Sequence, residues 1–170
     1  MLIVPDQRHH LPGVVAIFLL IEREEFDLAI VPEAQPDLDD IAGFSRPGAG
    51  NIRVALDGAS EVVGTLARLD IGHGQAALRR KRCVRRAWRG GAQGVAETLL
   101  RTLLAWARAR HLWEIFLGTT AAFLATHRFH ETHDLAQVAH DALPQAFPVM
   151  AVDSRIYLRD LVHVASRMPA

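Results

Sequence analysis

The stretch from Arg79 to Trp113 constrains the fold more than any other part of the chain. It opens with a basic segment, Arg79-Arg80-Lys81-Arg82-Cys83-Val84-Arg85-Arg86, and passes through the glycine-rich turn Arg89-Gly90-Gly91-Ala92-Gln93-Gly94. From Val95 onward, Val95, Ala96, Leu99, Leu100, Leu103, Leu104 and Ala107 recur at steps of three and four. That spacing predicts an amphipathic helix with one core-facing stripe. Glu97, Arg101, Arg108 and Arg110 fall outside the stripe, and Glu97 can pair with Arg101 one turn on. A glycine turn feeding a helix has the makings of an anion site. The first backbone N–H groups lack intrahelical partners, the helix dipole adds partial positive charge, and small residues admit a phosphate. The same turn also fits a plain chain reversal.

The 170 residues are enough for one domain with a substantial core, and half of them are apolar, which excludes a disordered chain. One cysteine, Cys83, excludes an internal disulfide. Nineteen basic against nineteen acidic residues give no net charge, so no general attraction to nucleic acid is expected. The charges are segregated, however. Glu22, Glu24, Glu25, Asp27, Glu33, Asp37, Asp39 and Asp40 make the early chain acidic, whereas residues 79–89 carry seven basic side chains and no acidic one. The run from Pro12 to Ile21 is too short to span a bilayer and is followed by Glu22-Arg23-Glu24-Glu25. It reads as a buried helix starting at Pro12, and a cytoplasmic location without membrane contact is expected.

The rest of the chain predicts strands at residues 1–4, 52–56, 62–71, 76–84, 113–117, 136–139 and 149–158. Turns are expected at Asp57-Gly58 and His73-Gly74, and short helices start near Gln35 and at Gly118-Thr119-Thr120, the latter running to about His133. Strands that first pair locally and then alternate with helices indicate mixed α/β architecture in a single domain, residues 1–170.

The string Val84-Arg85-Arg86-Ala87-Trp88-Arg89-Gly90-Gly91-Ala92-Gln93-Gly94-Val95-Ala96 resembles the acetyl-CoA signature of the GNAT acetyltransferases, Arg/Gln-x-x-Gly-x-Gly/Ala between a strand and an apolar helix. Arg89 and Gly94 match its ends, and Ala92 replaces the middle glycine. Further on, Leu117-Gly118-Thr119-Thr120, His127-Arg128-Phe129-His130-Glu131, the segment Leu143 to Asp153 and Ile156-Tyr157 resemble one bacterial subgroup of that family. Upstream, Gln35 to Leu38, Asn51 to Ala55 and Val63 to Leu66 extend the similarity across nearly the whole chain. His130 stands where the family has tyrosine, Asp134-Leu135 where it has Gly-Phe, and Thr126 where it has alanine.

The resemblance implies a twisted mixed β-sheet with helices on both faces and direct transfer of an acetyl group from acetyl-CoA to an amine. It puts Val84, Arg89, Gly90, Gly91, Ala92, Gln93, Gly94, Val95 and Ala96 against the cofactor, joined by Phe123 and Thr126. Main-chain amides near Cys83 and Val84 would face the thioester oxygen, and His130 would protonate the leaving thiolate. Glu24, Glu25 and Asp27 would line the side that receives a small-molecule or peptide amine. The rival is a degenerate module that binds acyl-CoA without turnover. Homodimerisation is left open.

Two further residue patterns have ordinary readings. Cys83 could be an acyl-accepting thiol, but no His/Asp partner stands out, and a packed strand residue is the expected role. His127, His130 and His133 drift around a helix instead of stacking at i, i+4, so no metal site is expected and a helix-surface position is read for them.

Overall fold

The computed structural model describes residues 1–20, 51–84, 88, 94–121, 124–149 and 153–162. Strands β1 (Leu2–Pro5), β2 (Asn51–Leu56), β3 (Val62–Gly72), β4 (Gln75–Val84), β5 (Glu114–Thr119), β6 (Ala136–Val138) and β7 (Arg155–Asp160) form a seven-stranded sheet ordered β1-β2-β3-β4-β5-β7-β6. β4 and β5 pair in parallel, while β1–β2, β2–β3, β5–β7 and β6–β7 pair antiparallel, so the sheet is mixed as expected. Helices α1 (Leu11–Leu20), α2 (Val95–Ala109) and α3 (Leu124–Thr132) flank it. The helix expected near Gln35 lies outside the described residues.

The chain falls into two compact units, residues 1–69 with 80–103 and residues 70–79 with 104–170. In the first, α1 buries Val14 and Ile17 in a cluster with Ile52, Val54, Val62 and Ala67. Gly13 makes this approach feasible, because a β-carbon there would stand 2.8 Å from the Val62 side chain. The 3-10 turn Arg8–His10 precedes the helix, and the Gln7 N–H donates to Nδ1 of the buried His10 at 3.0 Å. The β2–β3 hairpin turns at Asp57, whose carboxylate accepts from the N–H groups of Ala59 and Glu61.

In the second unit the β4 and β5 register runs from Gln75↔Glu114 to Leu78↔Leu117, and the Gln75 amide donates to the Glu114 carboxylate at 2.7 Å. Trp113, expected to begin a buried strand, is 47% exposed and precedes β5. Its ring lies against Gly74, where a β-carbon would meet it at 2.7 Å. Gly118 and Thr119, expected to open a helix, complete β5 instead. Gly118 marks a close approach, since a β-carbon there would stand 2.4 Å from the carboxyl carbon of the buried Asp153. The last strand begins at Arg155, not Val149. The Val149 N–H turns back to the Phe147 carbonyl at 2.9 Å, and the Ser154 hydroxyl accepts from the Ala121 N–H, neither of which is strand pairing.

Candidate active site

The first group of candidate residues belongs to the first unit. β4 ends at Val84, which is buried, and the helix stripe is realised as read: Val95, Leu99, Leu103 and Ala107 are at most 1% exposed. Gly94 immediately precedes α2, and its carbonyl accepts from both the N–H and the hydroxyl of Thr98, at 3.1 and 3.2 Å. The helix ladder therefore starts at Gly94, and the N–H groups of Val95, Ala96 and Glu97 have no acceptor within the helix. Glu97 is the acidic residue of the first turn. The side chains of Val95 and Ala96 are buried, so any contact they offer a ligand at the helix start is main-chain. Arg89, Gly90, Gly91, Ala92 and Gln93 lie outside the described residues, as do Phe123, Glu24, Glu25 and Asp27. Cys83 is in β4; nothing is described of its side chain.

The second group lies on α3 and β7 of the second unit, and here a surface reading gives way. His127 is 4% exposed and His130 1%, so two of the three histidines occupy core positions; only His133 is half-buried. His127 donates from Nε2 to the Ala121 carbonyl at 3.3 Å, and its Nδ1 lies 3.1 Å from the Tyr157 hydroxyl. The same hydroxyl is 3.4 Å from Glu131 Oε1. The His130 ring meets the Tyr157 ring at a centroid distance of 5.2 Å and the Phe129 ring edge-on at 6.1 Å. Burial raises the Tyr157 hydroxyl above its ordinary range; a hydrogen bond from Arg155 opposes this and the Glu131 charge reinforces it. Thr126, one position before His127, is half-buried. Among the described residues no group of three or more His, Cys, Asp or Glu is arranged to hold a metal ion.

Sequence reasoning missed His127, Glu131 and Tyr157 as a unit. One signal was available: His127 and Glu131 stand at i, i+4 on a helix, and Tyr157 is the only tyrosine in the chain. The departure at Asp134-Leu135 is absorbed by the backbone. Asp134 takes φ 55°, its N–H bonds to the Glu131 carbonyl, and the Leu135 N–H bonds to the His130 carbonyl. This is a Schellman end, with Asp134 at the left-handed position that glycine usually fills and Leu135 buried behind it. Arg159 secures it, donating to the His133 carbonyl and, at 3.0 Å, to the Asp134 carboxylate.

The model of the acetyltransferase (GNAT) family matches residues 17–134, more than half of the chain. The chain belongs to the GNAT family. Solved GNAT structures agree over nearly the full length. An acetyltransferase of the GNAT family from Staphylococcus aureus is 25% identical with a TM-score of 0.86, and the match covers 94% of this chain and 98% of that one. An acetyltransferase from Streptococcus agalactiae is 26% identical with a TM-score of 0.85 and the same coverage. A ribosomal-protein-alanine N-acetyltransferase from Brucella melitensis shares the fold at 22% identity and a TM-score of 0.67, over 95% of this chain and 100% of that one. No curated protein gives a significant match. Among the described residues no helix of this GNAT protein is long and apolar enough to cross a membrane.

Proposed function

We propose that the protein is an acetyl-CoA-dependent N-acetyltransferase in which an acceptor amine attacks the thioester directly. The observation that carries this reading, beside membership of the family, is the start of α2. Its ladder begins at the Gly94 carbonyl, which leaves three main-chain donors for an anion at the start of the helix. In the proposed site the cofactor's pyrophosphate takes these amides, with Arg89 as a charge-assisted partner from the turn that also holds Gly90, Gly91, Ala92 and Gln93. Phe123 and Thr126 flank the cofactor. The amine lone pair adds to the thioester carbon, and main-chain N–H groups near Cys83 and Val84 stabilise the oxyanion. The C–S bond then breaks, the nitrogen gives its proton to solvent water, and the thiolate gains one from protonated His130.

His130 is read in this role because it stands where the family pattern has tyrosine, with its ring against that of Tyr157. Glu24, Glu25 and Asp27 would favour a cationic acceptor, because carboxylates of one sign raise its local concentration. The Schellman end at Asp134 keeps the terminus of α3 intact where the sequence departs from the family pattern.

The experiment is thiol release from acetyl-CoA with a panel of polyamines, amino sugars and peptide amines. Turnover is expected, fastest with acceptors that carry a second cation. Gly94→Glu is expected to abolish acetyl-CoA binding in a folded protein, through bulk and like charge. Retained affinity in that variant removes the site assignment; tight acetyl-CoA binding with no turnover on any amine leaves the degenerate module.

A further inference from the structure

Tyr157 is completely buried, and its hydroxyl has one hydrogen for two acceptors, His127 Nδ1 at 3.1 Å and Glu131 Oε1 at 3.4 Å. The chemistry of His127 decides between them. Its Nε2 lies 3.3 Å from the Ala121 carbonyl, and a carbonyl oxygen can only accept, so Nε2 carries the hydrogen. In the neutral ring Nδ1 is then a lone pair, and the Tyr157 O–H points to it. Ala121 is held from its other side as well, because its N–H donates to Ser154 Oγ at 2.8 Å. The residue just after β5 is thereby tied to α3 through His127 and to the segment entering β7 through Ser154.

The Tyr157 ring also lies across both buried histidines. It is stacked with His127, with centroids 5.7 Å apart and planes at 22°, and tilted against His130 at 5.2 Å. His127 and His130 are three residues apart on a helix of nine. Fixing the ring of one therefore fixes the roll of the helix face that carries the other. The groups that face the Tyr157 hydroxyl are His127, Glu131 and Arg155, with the His130 ring alongside.

We propose that Tyr157 is a positioning residue for acetyl transfer: it locks His127 as the Nε2–H tautomer, and through that lock it sets the roll of α3, the helix that carries His130. This rests on the acetyl-transfer reading and on His130 as the proton donor. Tyr157→Phe keeps the ring and its packing and removes only the hydrogen bond. Nδ1 then has no donor, and the ring can exchange tautomers or turn toward Glu131. Misplacing a reacting group by a fraction of an ångström lowers turnover with little effect on ground-state binding.

The test joins two readouts in the full chain. Nitrogen-15 NMR of the imidazoles is expected to show His127 wholly Nε2–H in the wild type and mixed in Tyr157→Phe. In the same variant kcat is expected to fall between about tenfold and a hundredfold, while KM for acetyl-CoA changes by less than about twofold. Glu131→Gln, which leaves the Tyr157–His127 bond in place, is expected to keep the tautomer. A wild-type His127 protonated on Nδ1 overturns the proposal, as does a Tyr157→Phe enzyme in which either readout is unmoved. If Tyr157→Phe does not fold, a mixed His127 signal in the wild type, or loss of the single tautomer in Glu131→Gln, overturns it instead. A wild type that binds acetyl-CoA but releases no thiol removes the functional reading, and the positioning claim with it; the tautomer spectrum would then still report the lock itself.

Discussion

Asp134 pays a conformational cost that glycine would not. It sits at φ 55° at the end of α3, where a β-carbon is crowded, although Asp tolerates that region better than most residues. Its ion pair with Arg159 offsets little, because the Asp134 side chain is 71% exposed and Arg159 keeps the His133 carbonyl. Asp134→Gly is therefore expected to stabilise the protein by about 0.5–1 kcal/mol, a rise in Tm of about 1–4 °C by calorimetry. Tyr157 gives a second prediction. Its pKa is raised above the unfolded value near 10, so the stability it contributes is fully present below about pH 10. That contribution disappears as pH rises through the higher native value. Urea midpoints measured on either side of that range are expected to fall more steeply in the wild type than in Tyr157→Phe. Hydrophobic pattern gave little sign of this, because residues 127–133 show only Phe129 as an apolar side chain. Histidine had taken two inward positions of α3, and hydrophobic periodicity has no means of registering a buried imidazole.

Elements were read well where pattern and turn chemistry agreed. The β2–β3 hairpin had Asp57-Gly58 between two apolar runs, and α2 had a full stripe, so both appear within a residue or so of expectation. Leu99, on that stripe, has no exposed surface, and Leu99→Ala is expected to cost about 2–5 kcal/mol in urea unfolding. The errors came from elements whose limits depend on distant partners. Gly118 looked like a helix opener but serves the approach of Asp153, which lies 35 residues further on. Likewise the apolar run from Val149 suggested strand, yet the pairing with β5 begins at Arg155. The glycine turn itself was legible as chemistry through its residue types and spacing. How its side chains meet a ligand depends on residues 89–93, which lie outside the described set.

At the scale of the whole molecule, neither compact unit is a continuous piece of sequence, because the boundary passes through β3, β4 and α2. Local periodicity finds such elements one at a time, and so it cannot divide a chain this way. The global charge balance makes its own prediction. With no formal net charge and a pI of about 7.1, molecules of this protein repel one another least near neutrality. Solubility, measured as protein left in solution under a precipitating polymer, is expected to pass through a minimum near pH 7 and to rise toward acid and alkali.

Tyr157 is the only tyrosine among the 170 residues, and it has no exposed surface. The ultraviolet absorbance of tyrosinate is therefore a reporter for one atom at one place in the fold. After a jump to alkaline pH, hydroxide must reach that atom before the band can grow, and the rate of growth measures how often β7 and α3 part. The chain thus contains its own optical clock for the opening of this layer, readable without a label.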